Sequence, residues 1–476
     1  MDVRLGQTSV IKFGSTLLAS VAGFVATLYI AQELGSAMLG AYSLFIAVLT
    51  WLKTGFGSGL HYAINKRVSE DGDSSRDLGA GLIVQTVAFV FVSLGLIAVR
   101  DPLNKYLSFQ GAALMILTLG VLLAFSFVIS TLHGEQKVHV ASLLRPIDRV
   151  IRSSVQLGVV FLSLLGGGVA GLVWGYVAGA IVATAVGVTL VSIRPRLPDR
   201  KHFENVLGFT RYSWLSGLEE RSFSAMDTVV LGAFVGTNLI GYYEIAWNLA
   251  SLLAIFATAI VQTLFPTISN HTSNDEHDAV SNLVTDGLAY LGLFLIPGLL
   301  GVLVVGEHVL RIYGSEFQRA STVLVILVAA RLIYAYEAQF ISTLDALNHP
   351  EVAFRVNLVF VTANLVLNVV FVSLFGWLGA AVATGTAACI GLILSFRALR
   401  SFIEFDLPLR EFANQLIAAV VMGCVVWLGE PVVVQTPAGP ILTALLLVGG
   451  GATVYFLVLI GISNRFRTTV RNNIAI

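Results

Sequence analysis

The sequence predicts an all-α polytopic membrane protein of about fourteen transmembrane helices, built as two six-helix halves plus two C-terminal helices. Three observations predict it: an apolar composition poor in charge, a succession of apolar stretches each long enough to cross a bilayer, and turns that recur at a fixed interval. Of 476 residues, 56% are hydrophobic and 12% charged, where a soluble protein carries about 25% charged residues. Lipid can serve as solvent for so much apolar surface and water cannot. The 45 glycines fit this reading, because small residues let membrane helices approach closely. A formal net charge of zero gives no basic surface for nucleic acid. Cys389 and Cys424 lie in apolar segments with neither zinc spacing nor a disulfide framework. No cofactor, metal site or catalytic group is expected. The first apolar stretch is too long for a signal-peptide core and lacks a clear small-residue cleavage site.

A crossing helix needs about 20 apolar residues. Spans are expected near 9–32, 38–60, 78–99, 110–132, 148–166, 168–192, 207–234 and 239–264, then near 283–305, 320–344, 354–375, 377–399, 413–430 and 440–463. With fourteen crossings both termini share one side, and 21 of the 28 Lys and Arg residues share it with them. That excess marks the cytoplasm, so a cell-membrane protein with both termini inside is expected. The seventh span is the most polar, with Glu219, Glu220, Arg221 and Asp227. If it did not cross, the split of Lys and Arg between the faces would fall to 17 against 9. The count favours a crossing helix that faces protein or water, because each central charge costs about 2.5–3.5 kcal/mol on insertion scales. The stretch 266–282 reads as an acidic inward loop without Lys or Arg, and 306–319 as the longest outward loop. No loop is large enough to hold a soluble catalytic module.

The turns repeat in order. Leu34-Gly35-Ser36-Ala37-Met38-Leu39-Gly40-Ala41-Tyr42 meets Val235-Gly236-Thr237-Asn238-Leu239-Ile240-Gly241-Tyr242-Tyr243 at an offset of 201. Ile129-Ser130-Thr131-Leu132 meets Ile341-Ser342-Thr343-Leu344 at an offset of 212, and Gly168 and Gly171 meet Gly376 and Gly379 at 208. The repeat pairs spans 1–6 with spans 7–12, which gives lobes of 1–200 and 201–400 and an appendix of 401–476. An even number of spans per half leaves both in the same orientation, related by an axis along the membrane normal. Transporters built this way carry their substrate site between the halves.

These turns, with Asp227-Thr-Val-Val-Leu-Gly232 and Gly376-Trp-Leu-Gly-Ala-Ala381, resemble the multidrug/oligosaccharidyl-lipid/polysaccharide exporter superfamily. The nearest branch is the polysaccharide-type flippases that move lipid-linked saccharides. The resemblance covers spans 1–12. It implies alternating access, a lipid-linked saccharide as substrate among membrane lipids, and glycosyltransferases of the same pathway as partners. A cation-coupled multidrug exporter of the same fold is the alternative. Lys is scarce, at 6 against 22 Arg, which with the acidic stretch points to a salt-adapted archaeon, and then to a dolichol-type carrier.

A charged headgroup needs a polar path, and ionisable residues within spans are its markers. Lys53 lies late in span 2, where it either snorkels to the interface or faces the path; the resemblance favours the path, since lipid II flippases carry a basic residue at a similar place. On span 7, Glu220, Ser224 and Asp227 share a face, with Arg221 beside them. They form either a structural ion-pair cluster or a phosphate-gripping Arg held poised by acids. Glu244, Trp247, Asn248 and Ser251 form a polar stripe on span 8, and Arg331, Tyr334 and Glu337 stand a turn apart on span 10. Asn357, Asn364 and Asn368 on span 11 suit interhelical hydrogen bonds, and Ser15, Ala19, Gly23 and Ala26 on span 1 suit close packing. Arg145, Arg149 and Arg152 enter span 5, either as inward anchors or as a basic funnel that gathers a phosphate. A drug exporter would instead carry an acidic or aromatic cavity, against which Lys53, Arg221 and Arg331 argue.

Overall fold

A computed structural model describes the backbone of residues 2–70, 72–162, 167–213, 218–435 and 439–474. Side chains of residues 1–22, 209, 211–220 and 472–476 lie outside the described set. Among the described residues there is no strand, and the chain is a succession of helices. It forms two compact units, Met1–Gly241 and Tyr242–Ile476.

The first unit holds α1 (Asp2–Ser69), α2 (Ser74–Ala98), α3 (Arg100–Leu107), α4 (Ala112–Gly134), α5 (Val138–Leu162), α6 (Gly168–Leu190), α7 (Arg200–Ser213) and α8 (Leu218–Phe234). α1 carries spans 1 and 2 and breaks between them at Gly35, where φ is 76° and ψ 176°. Only glycine takes up that conformation at no steric cost. α5 and α6 pack through glycines: the Gly175 face meets Gln156 and the backbone of Arg152, and the Gly179 face meets Asp148. α3 is tied to α8 by the Tyr106 hydroxyl, which donates to the Val229 carbonyl. Burial pushes that phenol up to about 12, so it remains a donor at any physiological pH.

α9 (Thr237–Leu253) leads into the second unit, which holds α10 (Ile255–Ser273), α11 (His277–Arg311), α12 (Ser321–Ala346), α13 (Pro350–Phe375), α14 (Trp377–Arg400), α15 (Leu409–Val434), α16 (Pro440–Ile462) and α17 (Asn464–Ile474). An apolar core joins α10 to α14, from Ala254 and Val284 through Phe340 and Leu344 to Leu399. A second cluster seats α15 and α16 on α11 through Leu293, Met422 and Tyr455. There the buried Gln415 donates its amide to the Ala289 carbonyl at 2.6 Å. The tail helix α17 is held to α11 by an Arg465–Asp286 ion pair and a Tyr290–Thr469 hydrogen bond of 2.7 Å.

Among the described residues, ten helices are long and apolar enough to cross a membrane, or eleven if α9 and α10 form one bent span. The other three expected crossings fall on the first limb of α1, on α5 and on α7–α8. α5 carries Arg145, Asp148, Arg149 and Arg152, α8 is 17 residues long and carries Glu219, Glu220, Arg221 and Asp227, and much of the first limb of α1 lies outside the described side chains.

Several expected boundaries need correction. The acidic stretch 266–282 is not a loop: α10 runs to Ser273 and α11 starts at His277. Helix propensity and packing extend both helices beyond their apolar cores. The outward stretch 306–319 is likewise a helix end followed by a 3₁₀ turn, Ser315–Ala320. Span 8 is not straight, since α9 and α10 meet at an angle of 49°. Ser251, just before the bend, turns its hydroxyl back to the Trp247 carbonyl at 2.7 Å, and back-bonding of this kind bends helices.

The repeat is reproduced in backbone detail. The turn after α4 closes with hydrogen bonds from the Glu135, Gln136 and Lys137 amides to the Thr131, His133 and Leu132 carbonyls. The turn after α12 closes from Leu347, Asn348 and His349 to Thr343, Asp345 and Leu344, the same bonds 212 residues on. Gln136 at φ 59° matches Asn348 at φ 61°, and Gly168 at φ 59° matches Gly376 at φ 60°.

Candidate functional site

In the first unit the basic residues gather on α1, α5 and α8. α5 starts at Val138, ten residues before the expected boundary at 148. Arg145, Arg149 and Arg152 therefore lie within the helix rather than at its mouth, spaced to share one face. Arg145 is exposed, Arg149 half-buried and Arg152 buried, so burial rises along the face. The Arg149 guanidinium lies against Gly23 of α1, where an added Cβ would stand 2.2 Å from it. Of the span-1 small-residue stripe, Gly23 thus makes room for a charge.

Arg152 pairs with Asp148 one turn earlier. Its guanidinium carbon also lies 3.4 Å from the ring centre of Tyr176, a cation–π contact. Beside this pair, Gln156 donates to the Tyr42 hydroxyl at 2.7 Å and to the Leu172 carbonyl at 3.1 Å. Lys53 is half-buried, within electrostatic reach of Arg221, Arg145, Arg152 and Asp148. Because the second limb of α1 runs on to Ser69, Lys53 sits near its middle and not late in it. On α8, Arg221 is half-buried and Asp227 buried at 3% exposure. The Glu220 side chain lies outside the described residues.

The second unit presents a smaller cluster. The Arg331 guanidinium lies 4.2 Å from the ring centre of Trp247 and donates to the Ser251 hydroxyl at 2.5 Å. The span-10 arginine thereby meets the span-8 polar stripe. On that stripe Glu244 is hydrogen-bonded to Asn248, one turn on. Tyr334 stacks at a tilt on Phe360, with centroids 6.1 Å apart. Glu337 is fully buried, its carboxylate against Gly391 of α14. Of the span-11 asparagines, Asn364 donates to Thr384 of α14 at 3.3 Å, the interhelical bond expected of it. Among the described residues no group of three or more His, Cys, Asp or Glu could hold a metal ion.

Gly391 is a position where one methyl group matters. A Cβ there would stand 1.9 Å from Glu337 Oε1, deep between α12 and α14. Gly391→Ala is expected to lower stability by about 1–3 kcal/mol through overpacking. Thermal unfolding of the purified protein checks this, and Glu337→Ala in the same chain should recover most of the loss. An unchanged unfolding midpoint in the single variant would contradict the packing argument.

Sequence reasoning found the cations but missed the groups that hold them. Asp148 was findable, since it precedes Arg152 by one turn. Tyr176 and the glycine seats carry no sequence signal that separates them from ordinary lipid-facing residues.

Residues 34–322 match the family model described as polysaccharide biosynthesis protein. The chain is 32% identical over 473 residues to a probable flippase, AglR, of Haloferax volcanii, covering 98% of each chain. It is 27% identical over 425 residues to a probable low-salt glycan biosynthesis flippase, Agl15, of the same organism, covering 89% of each. Among solved structures it resembles the lipid II flippase MurJ in an inward closed conformation, with TM-score 0.80 and 15% identity over 95% of this chain and 98% of that one. It also resembles a multidrug resistance MATE family transporter, with TM-score 0.65 and 15% identity over 82% of this chain and 98% of that one.

Proposed function

Because the chain belongs to the polysaccharide biosynthesis protein family, we propose that it is a flippase that carries a lipid-linked saccharide across the membrane by alternating access. One observation carries the reading. Lys53, Arg145, Arg149, Arg152 and Arg221 cluster on helices of one unit, and among the described residues the acid within reach of Lys53 is Asp148, already paired to Arg152. So many cations inside a membrane protein are costly unless an anion or water meets them. A polyprenyl- or dolichol-type phosphate supplies the anion. The exposed Arg145 would meet it first and the half-buried Arg149 next, while Arg152 is already neutralised and holds the wall in place. Arg331 on its Trp247 platform, in the second unit, would bind a phosphate by the same chemistry, since a guanidinium can do so through two parallel hydrogen bonds. The names of the two Haloferax volcanii relatives support this cargo.

In this reading the protein sits in the plasma membrane with both termini in the cytoplasm, the side rich in Lys and Arg. The lobes 1–200 and 201–400 carry the transfer, with 401–476 as an appendix. Glycosyltransferases that build or use the saccharide would be its functional partners.

The test is reconstitution into vesicles holding a fluorescent or radiolabelled polyprenyl-phosphate-linked sugar. Protein-dependent transfer between leaflets is the expected outcome. Absence of transfer, together with export of cationic drugs by the same preparation, would replace this reading with the multidrug one, which the MATE-like fold keeps in view.

A further inference from the structure

The first repeated turn sets two helices in reciprocal contact. Ser36-x-x-x-Gly40 opens the second limb of α1 and Thr237-x-x-x-Gly241 opens α9, 201 residues later. A Cβ placed on Gly40 would stand 1.7 Å from the Thr237 carbonyl oxygen. A Cβ placed on Gly241 would stand 2.1 Å from the Ser36 carbonyl oxygen. Each glycine therefore lies on the first residue of the other helix, in the register of the repeat. Both pairs have the small-x-x-x-small spacing that brings membrane helices into backbone contact. At these distances a carbonyl occupies the place a side chain would need, so any residue other than glycine would push the two helix starts apart. The sequence marks Gly40 and Gly241 only as turn residues; their mutual contact appears in the fold.

We propose that Gly40 and Gly241 are positioning residues for transfer, forming a two-way backbone lock between the start of α9 and the second limb of α1. The proposal rests on the flippase reading for its link to transfer, but the lock itself does not. Ser36 is buried at 3% exposure with the lock closed. Transfer requires the lock to be made and broken, and an alanine at either glycine holds the helix starts apart. Because the two contacts belong to one crossing, losing one is equivalent to losing both.

The experiment uses the full chain carrying Ser36→Cys, with Cys389 and Cys424, both exposed, replaced by serine. A membrane-impermeant maleimide is the probe. The Gly40→Ala and Gly241→Ala versions should each label at least about tenfold faster than this parent, the shift expected from an overpacked contact. Both should also transfer lipid-linked sugar correspondingly more slowly at equal yield. The double variant should be no worse than the poorer single one. Parental labelling in both alanine variants would overturn the lock, whatever happens to transfer. If the alanine variants do not accumulate, the parent alone decides: its labelling should accelerate while it turns over lipid-linked sugar, and an unchanged rate overturns the proposal. A parent that transfers nothing while its alanine variants label quickly would overturn the flippase reading and leave the lock standing.

Discussion

Arg152→Ala is expected to destabilise the protein by about 3–5 kcal/mol, because it strands a buried carboxylate. Arg152 and Asp148 are each 7% exposed. Asp148 Oδ1 has no hydrogen-bond partner, and that edge rests on the Gly179 face. Arg152 supplies the countercharge to Oδ2 and covers the Tyr176 ring. Removing it leaves a buried carboxylate without its paired guanidinium, with the longer-range charge of Lys53 as a partial offset. The loss should fall toward the lower end of the range, because an unfolded helix in a membrane also finds polar partners. Removing both charges together, as Asp148→Asn with Arg152→Met, should cost less than Arg152→Ala alone. Thermal unfolding in detergent measures all three proteins. A double variant that unfolds earlier than the single would mean that the pair is not acting as a buried ion pair.

Arg331→Ala is expected to slow transfer by about ten- to a hundredfold, the worth of a charge-assisted hydrogen bond to an anion. It should cost less stability than Arg152→Ala, since Trp247 loses a stacking partner and Ser251 a hydrogen bond, whereas Arg152→Ala strands the paired carboxylate of Asp148. Arg331→Lys should recover little of the rate. An ammonium keeps the charge but cannot lie flat on the indole while donating through a planar fork. The measurement is the initial rate of labelled lipid-linked sugar transfer in vesicles, with detergent monodispersity as the folding control. A full rate in Arg331→Ala would remove Arg331 from the substrate path and leave the Trp247 contact as packing. Arg221→Ala on α8 makes the companion variant, with the same expected direction.

The candidate site was legible in the sequence to the extent that charges inside apolar segments are rare. Lys53, Arg221 and Arg331 stand out for that reason alone. The polar stripe Glu244, Trp247, Asn248 and Ser251 was legible by helical period, and the fold brings Arg331 onto two of its members. Glu337 was read as cavity-lining because acids in spans usually meet water or cations. Its full burial against Gly391 makes it a packed residue of the α12–α14 contact in this structure. Helix ends were the least legible part. Apolarity marks where lipid begins, whereas hydrogen bonding and packing decide where a helix stops, so α1, α5, α10 and α11 all run past their apolar cores.

By itself the sequence determined that this chain crosses the membrane many times as helices, that Lys and Arg crowd particular stretches between the apolar segments, and that one set of turns was used twice. Those properties follow from local quantities: the hydropathy of about 20 residues at a time, the charge between apolar segments, and the left-handed backbone that Gly168 and Gly376 take up in matching turns. Only the tertiary structure decided which charge lies against which glycine. Arg149 on Gly23, Asp148 on Gly179, Glu337 on Gly391 and the carbonyls of Ser36 and Thr237 on Gly241 and Gly40 are all contacts of this kind. A glycine reads the same in sequence whether its missing side chain faces lipid, a helix backbone or a charge. The difference lies in what the neighbouring helix places opposite it, and that is fixed only when the helices pack.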